Sequence, residues 1–249
     1  MNPIGQTGHR PWPLPGRPWV MKQTWRDLLF AHWPLPPASL QPLLPNGLEL
    51  DLRDGQAWIS VVPFHMTGIR LRWLPPLPGT SRFIELNVRT YVKAGGKAGV
   101  YFFSLDANHR LAVKAARAVY HLPYRFADMN IVREGESFRY GSVRREPHPS
   151  NGGASFEGAY RPVSEPYEAE RGSLEHWLTE RYCLFSADPH GGLHIGHIHH
   201  LPWMLQRAEA DIRRNTMTEP LGVGLPGAPA LLTYTARLDV LVWPLSPIR

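Results

Sequence analysis

The chain has 249 residues, 43% of them hydrophobic, with nine each of Trp, Tyr and Phe, so a sizeable buried core is expected and a disordered chain is excluded. The 26 prolines and 22 glycines predict frequent turns and short elements, as in a β-sandwich or barrel. The net charge of +6 permits an anionic ligand, but there is no dense Lys/Arg run, so a nucleic-acid partner is not expected.

Cysteine and lysine are both scarce. The single cysteine, Cys183, excludes an internal disulfide and is typical of a reducing compartment. The N-terminus lacks a hydrophobic signal core, and no stretch is apolar enough to span a bilayer, so we expect a cytoplasmic protein without a membrane partner. The only lysines, the residues that could form a Schiff base, are Lys22, Lys93, Lys97 and Lys114.

The first part of the chain divides into an arm and the start of a domain. Residues 1–20 carry five prolines without an apolar period, which predicts a proline-rich N-terminal arm. A helix capped by Thr24 is predicted to run to Trp33, followed by a short helix over 38–44. Since no linker interrupts the later elements, residues 21–249 are predicted to form a single domain.

The rest of the chain reads mainly as strands. A hairpin around Asp54-Gly55 and a central helix capped by Asn108 are predicted, and Ser173 opens another short helix. Residues 204–214 fit either a helix or a strand. The predicted strands cover residues 48–52, 57–64, 67–73, 82–93, 97–106, 124–132, 137–145, 154–160, 181–186, 193–199 and 231–242.

The strand predicted at 82–93 has two different faces. At period two, one face is almost entirely apolar, whereas the other carries Glu85, Asn87, Arg89 and Tyr91. In an open antiparallel sheet the polar face would lie against solvent, which the pattern alone favours. In a barrel covered by helices it would line a cavity, where Glu85 and Arg89 could transfer a proton or bind a carboxylate.

The segment Leu122-Pro123-Tyr124-Arg125 joins the central helix to the next strand. Proline fixes the chain there and aims the side chains that follow, so this junction is a candidate site. The alternative is a plain connector, with Tyr124 packed and Arg125 solvated.

Four stretches give the chain a resemblance to a known family. They are Phe30-Ala31-His32-Trp33-Pro34, Glu85 to Val92, Gly99 to Ala107 with its continuation to Tyr124, and Leu178 to Tyr182 with His199-His200-Leu201-Pro202-Trp203. Together they span roughly residues 25–242, and the chain resembles the YqjF-like branch of the acetoacetate decarboxylase-like superfamily.

The resemblance implies a mainly β (α+β) fold, a cone-like antiparallel β barrel with a few short helices packed outside. Its site would lie in a funnel-shaped cavity, with Glu85 and Tyr124 catalytic and Arg89, Arg125, Tyr101, Ser104 and His200 binding the ligand. Where the superfamily has a Schiff-base lysine pair, this chain has Tyr124 and Arg125, so a lysine-dependent decarboxylase is not expected.

A histidine cluster is a separate feature of the sequence. His190, His194, His197, His199 and His200 fall within eleven residues, and His197 and His199 would share a strand face. Glu180, or a histidine across the turn from Asp188 to Gly191, is a conceivable third metal ligand. The pattern nevertheless favours solvated imidazoles at a strand end, so neither a metal nor another cofactor is expected.

Three functions remain open from the sequence. The first is an enzyme that acts on a small carboxylate or oxo acid, a lyase or hydratase that needs no lysine. The second is a non-catalytic protein that binds a small anionic molecule in the same funnel, and the third is a histidine-dependent metal hydrolase. The sequence leaves the oligomeric state open.

Overall fold

A computed structural model describes residues 3–76, 81–145 and 153–248 of the chain. Short 3-10 turns lie at Pro3–Gly5, Gln41–Leu43 and Glu219–Leu221. The helices are α1 (Pro37–Leu40), α2 (Arg110–Tyr120) and α3 (Leu174–Thr179). The strands are β1 (Met21–Leu35), β2 (Glu49–Leu50), β3 (Ala57–Leu71), β4 (Phe83–Ala94), β5 (Lys97–Ala107), β6 (Tyr124–Glu134), β7 (Ser137–Arg144), β8 (Ser155–Pro162), β9 (Tyr167–Glu168), β10 (Cys183–Ala187), β11 (Leu193–His199), β12 (Met204–Asn215) and β13 (Leu231–Pro247).

The strand pairings close on themselves. From β4 the hydrogen-bonded order runs through β3, β1, β13, β11, β10 and β5, and β5 pairs again with β4. The fold is therefore mainly β, with a closed circuit of strands and few short helices, as the sequence predicts. Two pairings, β10 with β5 and β5 with β6, are parallel, so the sheet is not purely antiparallel.

The apolar side chains of the circuit are divided between its two faces. One cluster contains Leu86 and Val88 of β4 and packs against β7 and β8. The other contains Phe64 and Met66 of β3 and packs against α2. Successive residues of β4 therefore point into two different buried regions, and neither face of this strand lies against solvent.

The helix predicted from Thr24 to Trp33 is wrong, since these residues belong to β1. Asp27 has a left-handed φ of 52°, and the register between β1 and β3 shifts between Arg26 and Ala31. This irregularity places Trp25 and Leu28 on the same side of the strand although they are three residues apart. The bulge therefore imitates the spacing of an amphipathic helix.

Several smaller predictions also need correction. The turn at Asp54-Gly55 exists, but β2 pairs with β4 rather than with β3, so the predicted hairpin is wrong. The cap of α2 is His109, whose Nδ1 accepts from the backbone N–H of Ala112 at 3.1 Å. Asn108 instead accepts from the backbone N–H of Ile84. The ambiguous residues 204–214 form a strand, β12.

The described part of the arm, residues 3–20, contacts the circuit near β11. His9 Nε2 lies 2.8 Å from the carbonyl oxygen of His200, and Arg10 Nη1 donates to the carbonyl oxygen of Ile198 at 2.8 Å. The division between arm and domain remains a prediction. In the ranges that the structure describes, no helix is both long and apolar enough to cross a membrane.

Candidate functional site

A cavity of about 820 Å³ lies inside the closed circuit. Every strand of the circuit contributes to its wall, and α2 covers one side. One lining residue from each of these strands, taken in circuit order from β4, is Asn87, Val62, Leu28, Val242, Ile198, Leu184 and Phe102. Its size is in the range of cavities that hold drug-sized ligands.

The polar face of β4 lines this cavity. Glu85, Asn87 and Arg89 are 2%, 5% and 7% exposed, so the alternative of a solvent-facing strand is wrong. The pattern could not reveal this because a polar face against solvent and one against a cavity have the same period.

Glu85 is a buried carboxyl with few compensating contacts. Its pKa is raised to about 7, mainly by burial; hydrogen bonds from Tyr124 and Asn87 oppose this rise, and the nearby charge of Asp106 adds to it. The Tyr124 hydroxyl donates to Glu85 Oε2 at 2.7 Å. At neutral pH this carboxyl is therefore poised to gain or lose a proton.

Tyr124 and Arg125 lie on opposite sides of β6. Tyr124 lines the cavity, and burial raises the pKa of its hydroxyl well above the usual range, so it remains a hydrogen-bond donor. The backbone carbonyl of Tyr124 accepts from Arg117 of α2 at 2.7 Å. Arg125 does not line the cavity, since successive residues of a strand alternate in direction.

Arg89 is a buried cation without a carboxylate partner among the described residues. Its Nε and Nη2 have no hydrogen-bond acceptor there, and its guanidinium lies 5.0 Å from the ring centroid of Phe30. A buried guanidinium with free N–H groups is costly unless something accepts from it. This arrangement is suited to a bound anion.

Arg181 supplies a second guanidinium, which the sequence did not single out. Its Nη1 donates to Asp51 at 2.6 Å, but its Nη2 has no acceptor among the described residues. Asp51 pairs with Arg181 and, at 3.8 Å, with Lys93, whereas Arg89 forms no ion pair with a described residue. The only indication in the sequence is that Arg181 lies within Leu178 to Tyr182, one of the four stretches that resemble the known family.

His200 lines the wall beside Arg181. Burial lowers the pKa of His200, so the ring is neutral, and its Nδ1 lies 2.8 Å from the carbonyl oxygen of Leu201. The ring stacks on Tyr182 with centroids 4.7 Å apart and meets Trp203 edge-on. Glu180 accepts from the backbone N–H of Trp203 at 2.9 Å, which joins the two stretches into one wall.

Tyr101 and Ser104 lie away from this group. Tyr101 lines a separate cavity of about 330 Å³ with Arg117 and Ser186. Ser104 is buried but lines neither cavity. The register between β4 and β5 shifts next to Arg89, which turns Leu105 rather than Ser104 toward the larger cavity.

A buried ion pair stands close to the site. Arg144 of β7 donates to both carboxylate oxygens of Asp106, with its Nη2 at 2.7 Å and its Nε at 3.0 and 3.1 Å. Asp106 is one of the charges that raise the pKa of Glu85. The pair therefore fixes the position of β5 beside the site and influences its electrostatics.

A second polar cluster lies behind the arginines. His32 Nδ1 lies 2.6 Å from Ser60 Oγ, which lies 2.8 Å from the Tyr91 hydroxyl. Burial and the charge of Arg89 lower the pKa of His32, so its ring is neutral. These residues do not line the larger cavity, and they support Arg89, whose guanidinium lies 5.7 Å from the Tyr91 ring centroid.

The histidines of the sequence cluster have separate partners. His194 lies 3.0 Å from Asp188, and His199 Nε2 lies 2.7 Å from the carbonyl oxygen of Pro3. Within residues 3–76, 81–145 and 153–248, no three His, Cys, Asp or Glu side chains are grouped so that they could hold a metal ion. No lysine is among the described residues that line the larger cavity.

Comparison with solved structures gives the class of this fold. An enduracididine biosynthesis enzyme, MppR, solved with pyruvate, superposes with a TM-score of 0.63 at 10% identity, covering 96% of this chain and 93% of that one. An acetoacetate decarboxylase from Legionella pneumophila superposes with a TM-score of 0.62 at 12% identity, covering 97% and 94%. The chain therefore has an acetoacetate decarboxylase-like fold, and at these identities the likeness extends to the fold alone.

Sequence comparison then gives the family. The model of the family of uncharacterised conserved proteins called DUF2071 matches residues 22–239, and this chain belongs to that family. It is 50% identical over 232 residues to the uncharacterised protein YqjF of Bacillus subtilis (strain 168), covering 93% of this chain and 94% of that protein.

Proposed function

We propose that this protein is an enzyme that binds a carboxylate, above all an oxo acid, in the larger cavity and moves a proton without using a lysine. The observation that carries the proposal is Arg89, buried at the wall with two N–H-bearing nitrogens unpartnered among the described residues and no balancing carboxylate there. A ligand carboxylate would satisfy both the charge and the hydrogen-bonding groups. Arg181 Nη2 offers a further donor on the same wall.

Glu85 is the proposed proton-transfer group. With a pKa of about 7, its carboxylate can remove a proton from the carbon beside the keto group. The electron pair of that C–H bond then forms a C=C bond with the keto carbon, and the π pair of the C=O bond moves to the keto oxygen. The arginines would stabilise the resulting enolate, and Tyr124 would hold Glu85 in place. Enolisation is a step that lyases and hydratases of oxo acids share.

A protein of similar fold supports an oxo-acid ligand but does not identify the reaction. MppR is a neighbour in fold that has been solved with pyruvate. The Schiff-base route has no equivalent here because Tyr124 and Arg125 stand in the segment where a lysine pair would be, and the described residues that line the cavity include no lysine. We also propose a cytoplasmic location, where the buried Cys183 thiol would stay reduced.

The binding part of the proposal is tested by thermal shift. Small oxo acids and simple carboxylates should raise the melting temperature of the wild type, because a ligand of the folded state stabilises it. Arg89→Met should abolish the shift. Arg161→Met is the matched control, since Arg161 pairs with Glu209 on the exposed face of β8 and should leave the shift intact.

The catalytic part is tested by hydrogen–deuterium exchange at the carbon beside the keto group, followed by NMR. The wild type should accelerate exchange, and Glu85→Gln should reduce the rate by about 100-fold or more while the ligand still binds. Ligand binding with no exchange in the wild type would contradict the enzyme and favour the second candidate, a non-catalytic binding protein. The observation that favours this candidate is the absence of lysine among the described lining residues.

A further inference from the structure

The larger cavity is too big for the small acid that its polar end would bind. A volume of 820 Å³ corresponds to roughly 27 water molecules at about 30 Å³ each. An oxo acid with the six non-hydrogen atoms of pyruvate would fill on the order of a fifth of it. Most of the cavity would remain without a partner for its lining atoms.

Polar and apolar side chains occupy different ends of this cavity. In the pairing of β3 with β4, Asn87 lies opposite Val62 and Glu85 opposite Phe64, whereas the next inward pair is Phe83 with Met66. From Arg89 to Phe83 the strand advances roughly 20 Å at about 3.3 Å per residue. The cavity wall therefore changes from charged to apolar along β4.

The apolar wall continues beyond the end of β4. Ile69 and Leu71 of β3 line the cavity, and Leu71 pairs with Met21 of β1, which also lines it. Gln23 and His109 are polar exceptions, but the Gln23 side-chain oxygen already accepts from Trp25 Nε1 at 3.0 Å, and His109 Nδ1 accepts from the backbone N–H of Ala112 at 3.1 Å. This end offers apolar contact rather than hydrogen bonds.

Helix α2 lines the cavity with both small and large side chains, and its N-terminus lies at the apolar end, where the His109 ring centroid lies 6.2 Å from that of Phe83. Ala112 and Ala116 line the cavity and take up little of its space. Leu111 and Val119 also line it, yet they are 66% and 63% exposed. Large apolar residues that line a cavity and remain exposed are typical of a surface that a ligand covers.

We infer that the ligand is an amphipathic carboxylic acid, with its carboxylate at Arg89 and Arg181 and an extended hydrocarbon tail along β3 beneath α2. This inference rests on the proposed function and adds the class of substrate, an oxo acid with a medium-length apolar chain. The tail contacts Phe64, Met66 and Ile69 and removes the exposed side chains of α2 from water.

A chain-length series tests the inference on the unaltered protein. Binding of straight-chain 2-oxo acids from about four to about twelve carbons is measured by calorimetry at one pH. The Kd should fall about fourfold for each added methylene until the tail reaches the end of the cavity. A Kd that is flat or rises with length overturns the tail while leaving the proposed carboxylate site intact. Failure of every member to bind overturns both.

A pair of variants on α2 locates the tail. Ala112→Trp fills the apolar end, because Ala112 lines the cavity next to His109, whose ring centroid lies 6.2 Å from that of Phe83. It should weaken binding of the long acids at least tenfold, while the shortest acid that binds should keep its Kd. The matched control is Ala118→Trp, because Ala118 is exposed on the same helix and does not line the cavity. Equal effects of the two substitutions on the long acids, or no effect of either, would place the tail elsewhere and overturn the inference.

Discussion

Two arginines of this protein are buried to a similar extent, but only one of them has a carboxylate partner. Arg144 is 8% exposed and shares both carboxylate oxygens of Asp106, whereas Arg89 is 7% exposed and has no carboxylate partner among the described residues. Burial alone therefore does not explain either of them.

The difference separates a structural cation from one that is available to a ligand. Asp106 compensates the desolvation of Arg144 with charge-assisted hydrogen bonds, and the pair joins β5 to β7. Arg89 instead carries the cost of desolvation without this compensation and faces a cavity. Removing the two charges should therefore have opposite effects on the free energy of unfolding.

The largest expected effect follows from Arg144→Met. This substitution leaves Asp106 buried without its partner, so the free energy of unfolding should fall by about 3–5 kcal/mol. Urea denaturation measures the change. Arg161→Met, which breaks the exposed pair with Glu209, should cost less than about 1 kcal/mol. A similar loss of unfolding free energy in both variants would show that the buried ion pair contributes no more to stability than the exposed one.

The next effect concerns Glu85 and pH. Because its pKa is raised to about 7 in the folded state, the folded protein binds more protons than the unfolded chain between about pH 4.5 and about pH 7. The stability that the protonated carboxyl preserves is therefore lost as the pH rises through this window, by about 3 kcal/mol in total.

Glu85→Gln should remove this part of the pH dependence. Denaturation curves of wild type and variant, compared at several pH values, should differ progressively as the pH rises and then run parallel above about pH 8. A constant difference between the two proteins across the window would mean that the carboxyl does not titrate there.

A smaller effect of the opposite sign is expected from Arg89→Met. Removing an uncompensated buried charge should raise the free energy of unfolding by about 1 kcal/mol in the absence of ligand. The same variant should no longer bind oxo acids. A destabilisation as large as that of Arg144→Met would show that Arg89 has a partner in the folded protein and would erase the contrast between the two residues.

The smallest effect concerns Tyr124→Phe. The Tyr124 hydroxyl lowers the pKa of Glu85 by donating to its carboxylate, so the variant should raise that pKa by about one unit. NMR of the Glu85 side-chain carboxyl carbon follows the titration directly. An unchanged midpoint would mean that the hydroxyl does not bond to the ionised form.

The sequence predicts the mainly β fold and the position of most strands because turns and alternating patterns are local. It fails at β1, where the bulge at Asp27 gives Trp25 and Leu28 a helix-like spacing. A local pattern does not show which strand will pair with which. For this reason the sequence wrongly predicts that β2 pairs with β3, whereas it pairs with β4.

The sequence also predicts only part of the candidate site. The sequence predicts Glu85, Arg89, Tyr124 and His200 as site residues, and in the structure all four line one cavity. Arg125 and Ser104 do not join them, because strand alternation and the irregular register of β5 direct them elsewhere. Arg181 was missed because its partner Asp51 is 130 residues away in the chain.

The contacts of residues 3–20 have a practical consequence for handling the protein. His9 lies within hydrogen-bond distance of the carbonyl oxygen of His200, and Arg10 donates to that of Ile198. Both carbonyl groups belong to residues that line the larger cavity. Shortening the recombinant protein to its conserved-family span, residues 22–239, would strip away this support together with the end of β13. Ligand screens are therefore best carried out with all of residues 1–249 present, and with any affinity tag separated from residue 1 by a spacer.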